Sequence, residues 1–142
     1  MHDGRPDNIW HWHEEVRPEM DALWDNRLDP ALTWAEHQDY KAKLSSLLKK
    51  GARGTVYVAE ARGEAHVIRN TILELRPLLE STRPAFNRVQ RHLRLYFGEP
   101  QLPDHALLAL HLDTKGDAQS GLEEQNEAIS ESFRRADAWA AA

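Results

Sequence analysis

Arginines set the chemical possibilities of this 142-residue chain, because their spacing is regular where most of the positive charge is concentrated. Arg62, Arg69 and Arg76 recur every seven residues, and Arg88, Arg91 and Arg94 every three. On helices each set would project along one line. Guanidinium forks in such rows suit phosphate or carboxylate oxygens, since each offers several donors in one plane. Residues 49 to 97 hold ten basic and four acidic side chains, a net of +6, whereas residues 1 to 48 carry -5 and residues 98 to 142 carry -6. The whole chain is therefore acidic at -5, which counts against a dedicated nucleic-acid binder. Aromatic residues that would stack on bases are not interleaved with these arginines. The plainer alternative is a solvated basic face, or one paired with the acidic flanks.

Histidine is the second group able to do chemistry, with eight in the chain. His11 and His13 precede Glu14 and Glu15, and a helix would put His11 and Glu15 on one face. His11 and His13 are thus the candidate metal ligands, to be completed by distant histidines. The Glu-x-x-His pairs of di-iron bundles and the His-Glu-x-x-His zinc motif are both missing. No Gly-x-Ser-x-Gly elbow or phosphate-cradling glycine loop occurs, and adjacent carboxylates such as Glu123 and Glu124 diverge on a helix. The sequence leans away from an enzyme and implies no cofactor.

The chain has no cysteine, so disulfides and thiolate metal sites are excluded. Its polar start and its longest apolar run, Ala106 to Leu110, fit neither a signal peptide nor a membrane span of about 20 residues. A cytoplasmic protein without a membrane partner is expected.

The elements that must position these groups read as helices. Ile9, Trp12, Val16, Met20, Leu23 and Trp24 share one face of a first helix, with Pro18 kinking it near Arg17. Trp10 and Trp12 would lie about 200° apart there, which turns Trp10 toward a surface. Thr33 and Glu36 form a capping box for a helix over 34 to 50, its stripe being Trp34, His37, Tyr40, Leu44, Leu47 and Leu48. Tyr57, Ala61, Ala65, Ile68, Ile72, Leu75 and Leu79 alternate steps of four and three, a heptad-like seam that predicts a helix over 56 to 80. On residue preference alone, 55 to 58 would pass for a short strand. Further helices are expected from 82 to 98, from 104 to 112, and from 118 to 139 on Leu122, Ile129, Phe133, Ala136 and Trp139.

The expected fold is all-α: one domain over residues 1–142, an antiparallel bundle of five or six helices. The expected function is a non-catalytic interaction module, an adaptor or homo-oligomer, whose basic central hairpin lies between acidic flanks. Arg62, Arg69, Arg76, Arg88, Arg91 and Trp10 would meet the partner, which is another protein or a second copy of the chain. A metal-dependent protein using His11 and His13, and a nucleic-acid binder using the arginine rows, are the alternatives.

Overall fold

The structure, a computed structural model, describes residues 7–29, 32–59, 63–69, 72–77, 92–100, 105–115 and 118–141, with the backbone alone for Arg69 and residues 118–120. In chain order the elements are β1 (Ile9–Trp12), α1 (Val16–Trp24), α2 (Trp34–Arg53), β2 (Ala65–Arg69), β3 (Ile72–Leu75), β4 (His92–Gly98), β5 (Ala106–Lys115) and α3 (Ala118–Ala141). The strands form one mixed sheet in the order β1-β5-β4-β3-β2. β1 runs parallel to β5, and the other neighbours are antiparallel. The expected all-α helical bundle is thus wrong: this is an α/β fold.

The sheet separates two apolar clusters. On one face Val16 and Leu23 of α1 and Tyr40, Leu44 and Leu47 of α2 pack against Leu75, Leu93, Leu95, Phe97, Leu107, Ala109 and Leu112. On the other, Ala128, Ile129, Phe133, Ala136 and Trp139 of α3 cover Ile72, Leu108 and Leu110. Helices on both faces explain why Ala106 to Leu110 is uninterruptedly apolar, since a strand buried on both sides does not alternate. That run was expected to be a short helix, and length and periodicity cannot separate the two. The register jumps from Tyr96↔His111 to Phe97↔Ala109, leaving Leu110 as the extra residue of a bulge. Its carbonyl is taken by Arg135, whose Nη1 donates to it at 2.8 Å.

The first expected helix is instead a strand followed by a helix. Side chains two apart share a face of a strand, so Trp10 and Trp12 stack on one another with centroids 5.9 Å apart. Pro18 causes no kink, because it falls in the first turn of α1, where no amide partner is lost. α2 follows the expectation: Thr33 Oγ1 accepts from the Glu36 amide at 3.2 Å and Glu36 Oε1 from the Thr33 amide at 2.9 Å. The helix runs past Gly51 and stops at Gly54, which takes the left-handed conformation (φ 73) that a glycine cap permits. His37 Nε2 lies 2.6 Å from the Leu23 carbonyl and 3.1 Å from that of Trp24, closing the C-terminus of α1 onto α2.

The long helix over 56 to 80 is replaced by the β2/β3 hairpin. Val58 does bridge Ala65, so the stretch that resembled a strand is held at the sheet margin by a single pairing. A Cβ on Gly63 would lie 2.4 and 2.5 Å from backbone atoms of Ala59 and 2.5 Å from the Ala65 carbonyl oxygen, so this approach admits only glycine. Of the helix expected over 82 to 98, residues before 92 lie outside the described part and the rest is β4. Among the described residues no helix is long and apolar enough to cross a membrane.

Candidate functional site

Strand alternation divides the sheet face beneath α3 into an apolar half and a polar half. In β3 and just beyond it, Leu73 and Leu75 point into the α2 core, which leaves Glu74 and Arg76 for the opposite face. In β4, Leu93, Leu95 and Phe97 likewise leave His92, Arg94 and Tyr96. The pairings His66↔Glu74, Glu74↔Tyr96, Tyr96↔His111, Arg94↔Asp113 and His92↔Lys115 bring one polar patch together from β2 to β5.

Glu74 is the centre of this patch and is fully buried. Its Oε1 accepts from Arg76 Nε at 2.8 Å and lies 3.4 Å from Arg94 Nε. Its Oε2 accepts from Gln125 Nε2 of α3 at 3.2 Å and lies 4.0 Å from Lys115 Nζ. The Tyr96 hydroxyl is also hydrogen-bonded to it. Arg76 donates from Nη2 to His66 Nδ1 at 2.6 Å, and Arg94 donates from Nη1 to the Leu93 carbonyl at 2.8 Å. Arg94 Nε is buried and makes no hydrogen bond. Arg76, Arg94 and Lys115 keep 16, 10 and 19% of their side chains exposed, so all three can meet a group arriving from solvent.

Three basic side chains therefore face one buried carboxylate among the described residues. Asp113, across from Arg94, has its carboxylate 3.6 Å from His111 Nε2. The crowding registers in the titration of the cations. Burial lowers the pKa of Lys115, and repulsion from Arg94 and Arg76 adds to it against the pull of Glu74. Burial also lowers that of Arg94, with Arg76 adding to it and Glu74 opposing. Tyr96 is raised by burial and by the Glu74 charge, so its hydroxyl keeps its proton.

A second polar cluster ties α1 and α3 to β5. Arg135 meets Glu19 at two points, and Glu19 Oε2 lies 2.8 Å from His111 Nδ1. Glu19 Oε1 also accepts from the Leu112 amide at 3.0 Å, a strand-edge donor that lies beyond the end of β1.

Of the residues singled out in the sequence, Arg76 stands in the Glu74 patch. Arg69 ends β2 opposite Ile72, and Arg62, Arg88 and Arg91 lie outside the described residues. Trp10 is half-buried: its indole N–H donates to the Leu48 carbonyl at 2.9 Å and its ring meets Phe97 edge-on. His11 stands near Trp139 and His13 Nδ1 accepts from the Glu15 amide, so the helical face that was to align His11 with Glu15 does not exist. No three histidine or carboxylate side chains form a metal-ligating group among the described residues. Sequence reasoning missed Glu74, His66, Tyr96, Lys115 and Gln125 as a group. The signal was the period of two in Leu73-Glu74-Leu75-Arg76 and Leu93-Arg94-Leu95-Tyr96. No family model, curated protein or solved structure matches the chain.

Proposed function

We propose that this protein binds the phosphodiester backbone of nucleic acid, RNA in particular, on the polar half of the sheet, with Arg76, Arg94 and Lys115 as phosphate ligands. The observation that carries the proposal is the convergence of three cations on one buried carboxylate. Guanidinium forks grouped in this way suit phosphate oxygens, which accept several charge-assisted hydrogen bonds at once. This function fits a cytoplasmic protein.

The pairing of Lys115 with His92 across β4 and β5, which brings an amine and an imidazole to one face, favours RNA and a cleavage reaction. RNA carries its own nucleophile, so the chemistry needs only proton transfer and charge stabilisation. The Lys115 amine would take the 2′-hydroxyl proton as that oxygen attacks the adjacent phosphorus. The bond to the 5′-oxygen then breaks, a proton from His92 reaches the leaving oxygen, and a 2′,3′-cyclic phosphate remains. Arg76 and Arg94 would hold the negative charge of the pentacovalent transition state.

The test is fluorescence anisotropy with labelled RNA and DNA of one sequence, followed by analysis of the RNA ends. Binding that weakens steeply with salt, and that Arg76→Ala and Arg94→Ala both reduce, is expected. Cyclic phosphate ends that disappear with Lys115→Ala are expected if the site cleaves. Absence of binding to either polymer at low salt would sink the proposal, and capture of acidic proteins alone would return these cations to the role of a protein-docking surface.

A further inference from the structure

We infer that Glu74 is a resident counter-anion, a built-in competitor that holds Arg76, Arg94 and Lys115 for the site and from which an arriving phosphate must take them over. The inference rests on the phosphate binding proposed above and concerns what limits its strength.

Both oxygens of Glu74 are engaged. Arg76 and Arg94 present their Nε atoms to Oε1, and Gln125 and Lys115 approach Oε2. These side chains are the ones that a phosphate would use, and each keeps part of its surface exposed while the carboxylate is fully buried. Arg94 Nε is drawn to Oε1 at 3.4 Å yet makes no hydrogen bond, so its proton is uncommitted. An arriving phosphate that draws the guanidinium outward therefore breaks no hydrogen bond at Nε. The carboxylate nevertheless opposes the ligand twice, by sharing its cations and by repelling its charge at short range in a partly desolvated setting.

The reason for keeping such a competitor is folding. Without Glu74 the buried carboxylate that all three basic side chains approach would be gone, and a cation stripped of its buried partner is strongly destabilising. Tyr96 and Gln125 add hydrogen bonds that keep the carboxylate where it serves all three. Affinity is thus traded for a site that stands ready before any ligand arrives.

Glu74→Gln keeps the shape and removes the charge, and this separates a counter-anion from a residue that only orients the arginines. The variant is expected to bind a short oligouridine RNA at least about fivefold tighter than wild type at equal salt, since a like charge near the phosphate has gone. Its thermal midpoint without RNA is expected to be lower, and to rise more on RNA addition than that of wild type. Equal or weaker binding by a folded Glu74→Gln, with wild type still dependent on Arg76 and Arg94, overturns the counter-anion role and leaves the nucleic-acid proposal standing. Failure of wild type to bind removes both. If Glu74→Gln does not fold, wild type answers by NMR with inorganic phosphate. The Glu74 carboxyl carbon is expected to shift together with the Nε–H signals of Arg76 and Arg94, and a carboxyl signal that stays fixed while the arginines saturate overturns the inference.

Discussion

Glu19 of α1 and Arg135 of α3 meet in a two-point ion pair beside β5, with each carboxylate oxygen 2.8 Å from a guanidinium nitrogen. Arg135 also holds the carbonyl of the bulge residue Leu110, and Glu19 takes the Leu112 amide. The two side chains therefore satisfy backbone groups that β1 is too short to reach. Arg135→Ala takes the guanidinium from the bulge carbonyl and from a mostly buried carboxylate that keeps only His111 and the Leu112 amide, and is expected to cost about 3 kcal/mol in urea unfolding. Replacing both residues, by Glu19→Gln and Arg135→Met, is expected to cost less than the sum of the single changes, because neither charge is then stranded. Additive losses would mean that the pair is not coupled.

The same cluster sets how stability responds to pH. Burial pushes Glu19 up, but hydrogen bonds from His111 and Arg135 outweigh it and hold the carboxyl at about 2 against an ordinary 4.5. Its contribution is complete above pH 4.5 and is lost as pH falls through 2. Burial pushes His111 down, but the carboxylates of Asp113 and Glu19 raise it from 6.5 to about 9. Its contribution is complete below pH 6.5 and is lost as pH rises through 9. Stability from this cluster is thus expected to peak between pH 4.5 and 6.5. His111→Gln is expected to flatten the alkaline limb of the midpoint-against-pH curve and, because His111 also holds Glu19 low, to weaken the acid limb while Arg135 and the Leu112 amide keep part of it. An unchanged alkaline limb would count against a protonated His111.

Gly63 makes a sharper test of the hairpin. A methyl group there would come within 2.5 Å of two backbone segments, and backbone cannot swing aside as a long side chain can. Gly63→Ala is expected to destabilise by about 2 kcal/mol, the usual scale for overpacking. Hydrogen exchange should speed up at Ala59, Glu64 and Ala65, whose amides bond across this approach. A helix in this region would instead be stabilised by the change, so the sign of the effect separates the two structures.

Part of this fold was legible from residue types alone. α2 could be read because its start is chemical, a reciprocal Thr33 and Glu36 cap, and His37, Tyr40, Leu44 and Leu47 bury on one stripe. α3 could be read from Ile129, Phe133, Ala136 and Trp139, although Leu122 is exposed. The hairpin was concealed by a coincidence of spacing. Ala65 and Leu75 belong to one face of the sheet and Ile68 and Ile72 to the other, yet together they step by three and four like a heptad seam. A register shift between Val67 and Arg69 helps to produce that spacing. The candidate site was illegible for the same reason. Arg62, Arg69 and Arg76 were aligned along a helix that does not exist, whereas the neighbour of Arg76 that matters is Arg94 on the adjacent strand. That proximity follows from the pairing of Leu75 with Leu95, a contact between distant parts of the chain that local periodicity does not encode.

The last prediction separates the arginines of the patch from those elsewhere. A cation that neutralises a phosphate releases a condensed counterion, so its removal reduces the slope of log affinity against log salt by about 1. Arg76→Ala and Arg94→Ala are each expected to show that reduction with single-stranded RNA, and the double variant to show both. Arg134 provides the control, because it is exposed on α3 and paired with Glu15 and Glu131, away from Glu74. Arg134→Ala removes the same formal charge, so any effect of net charge alone would appear in it equally. Its slope is expected to match that of wild type. Equal slopes for all five proteins would mean that the RNA is held by general attraction, and that the convergence on Glu74 serves the fold alone.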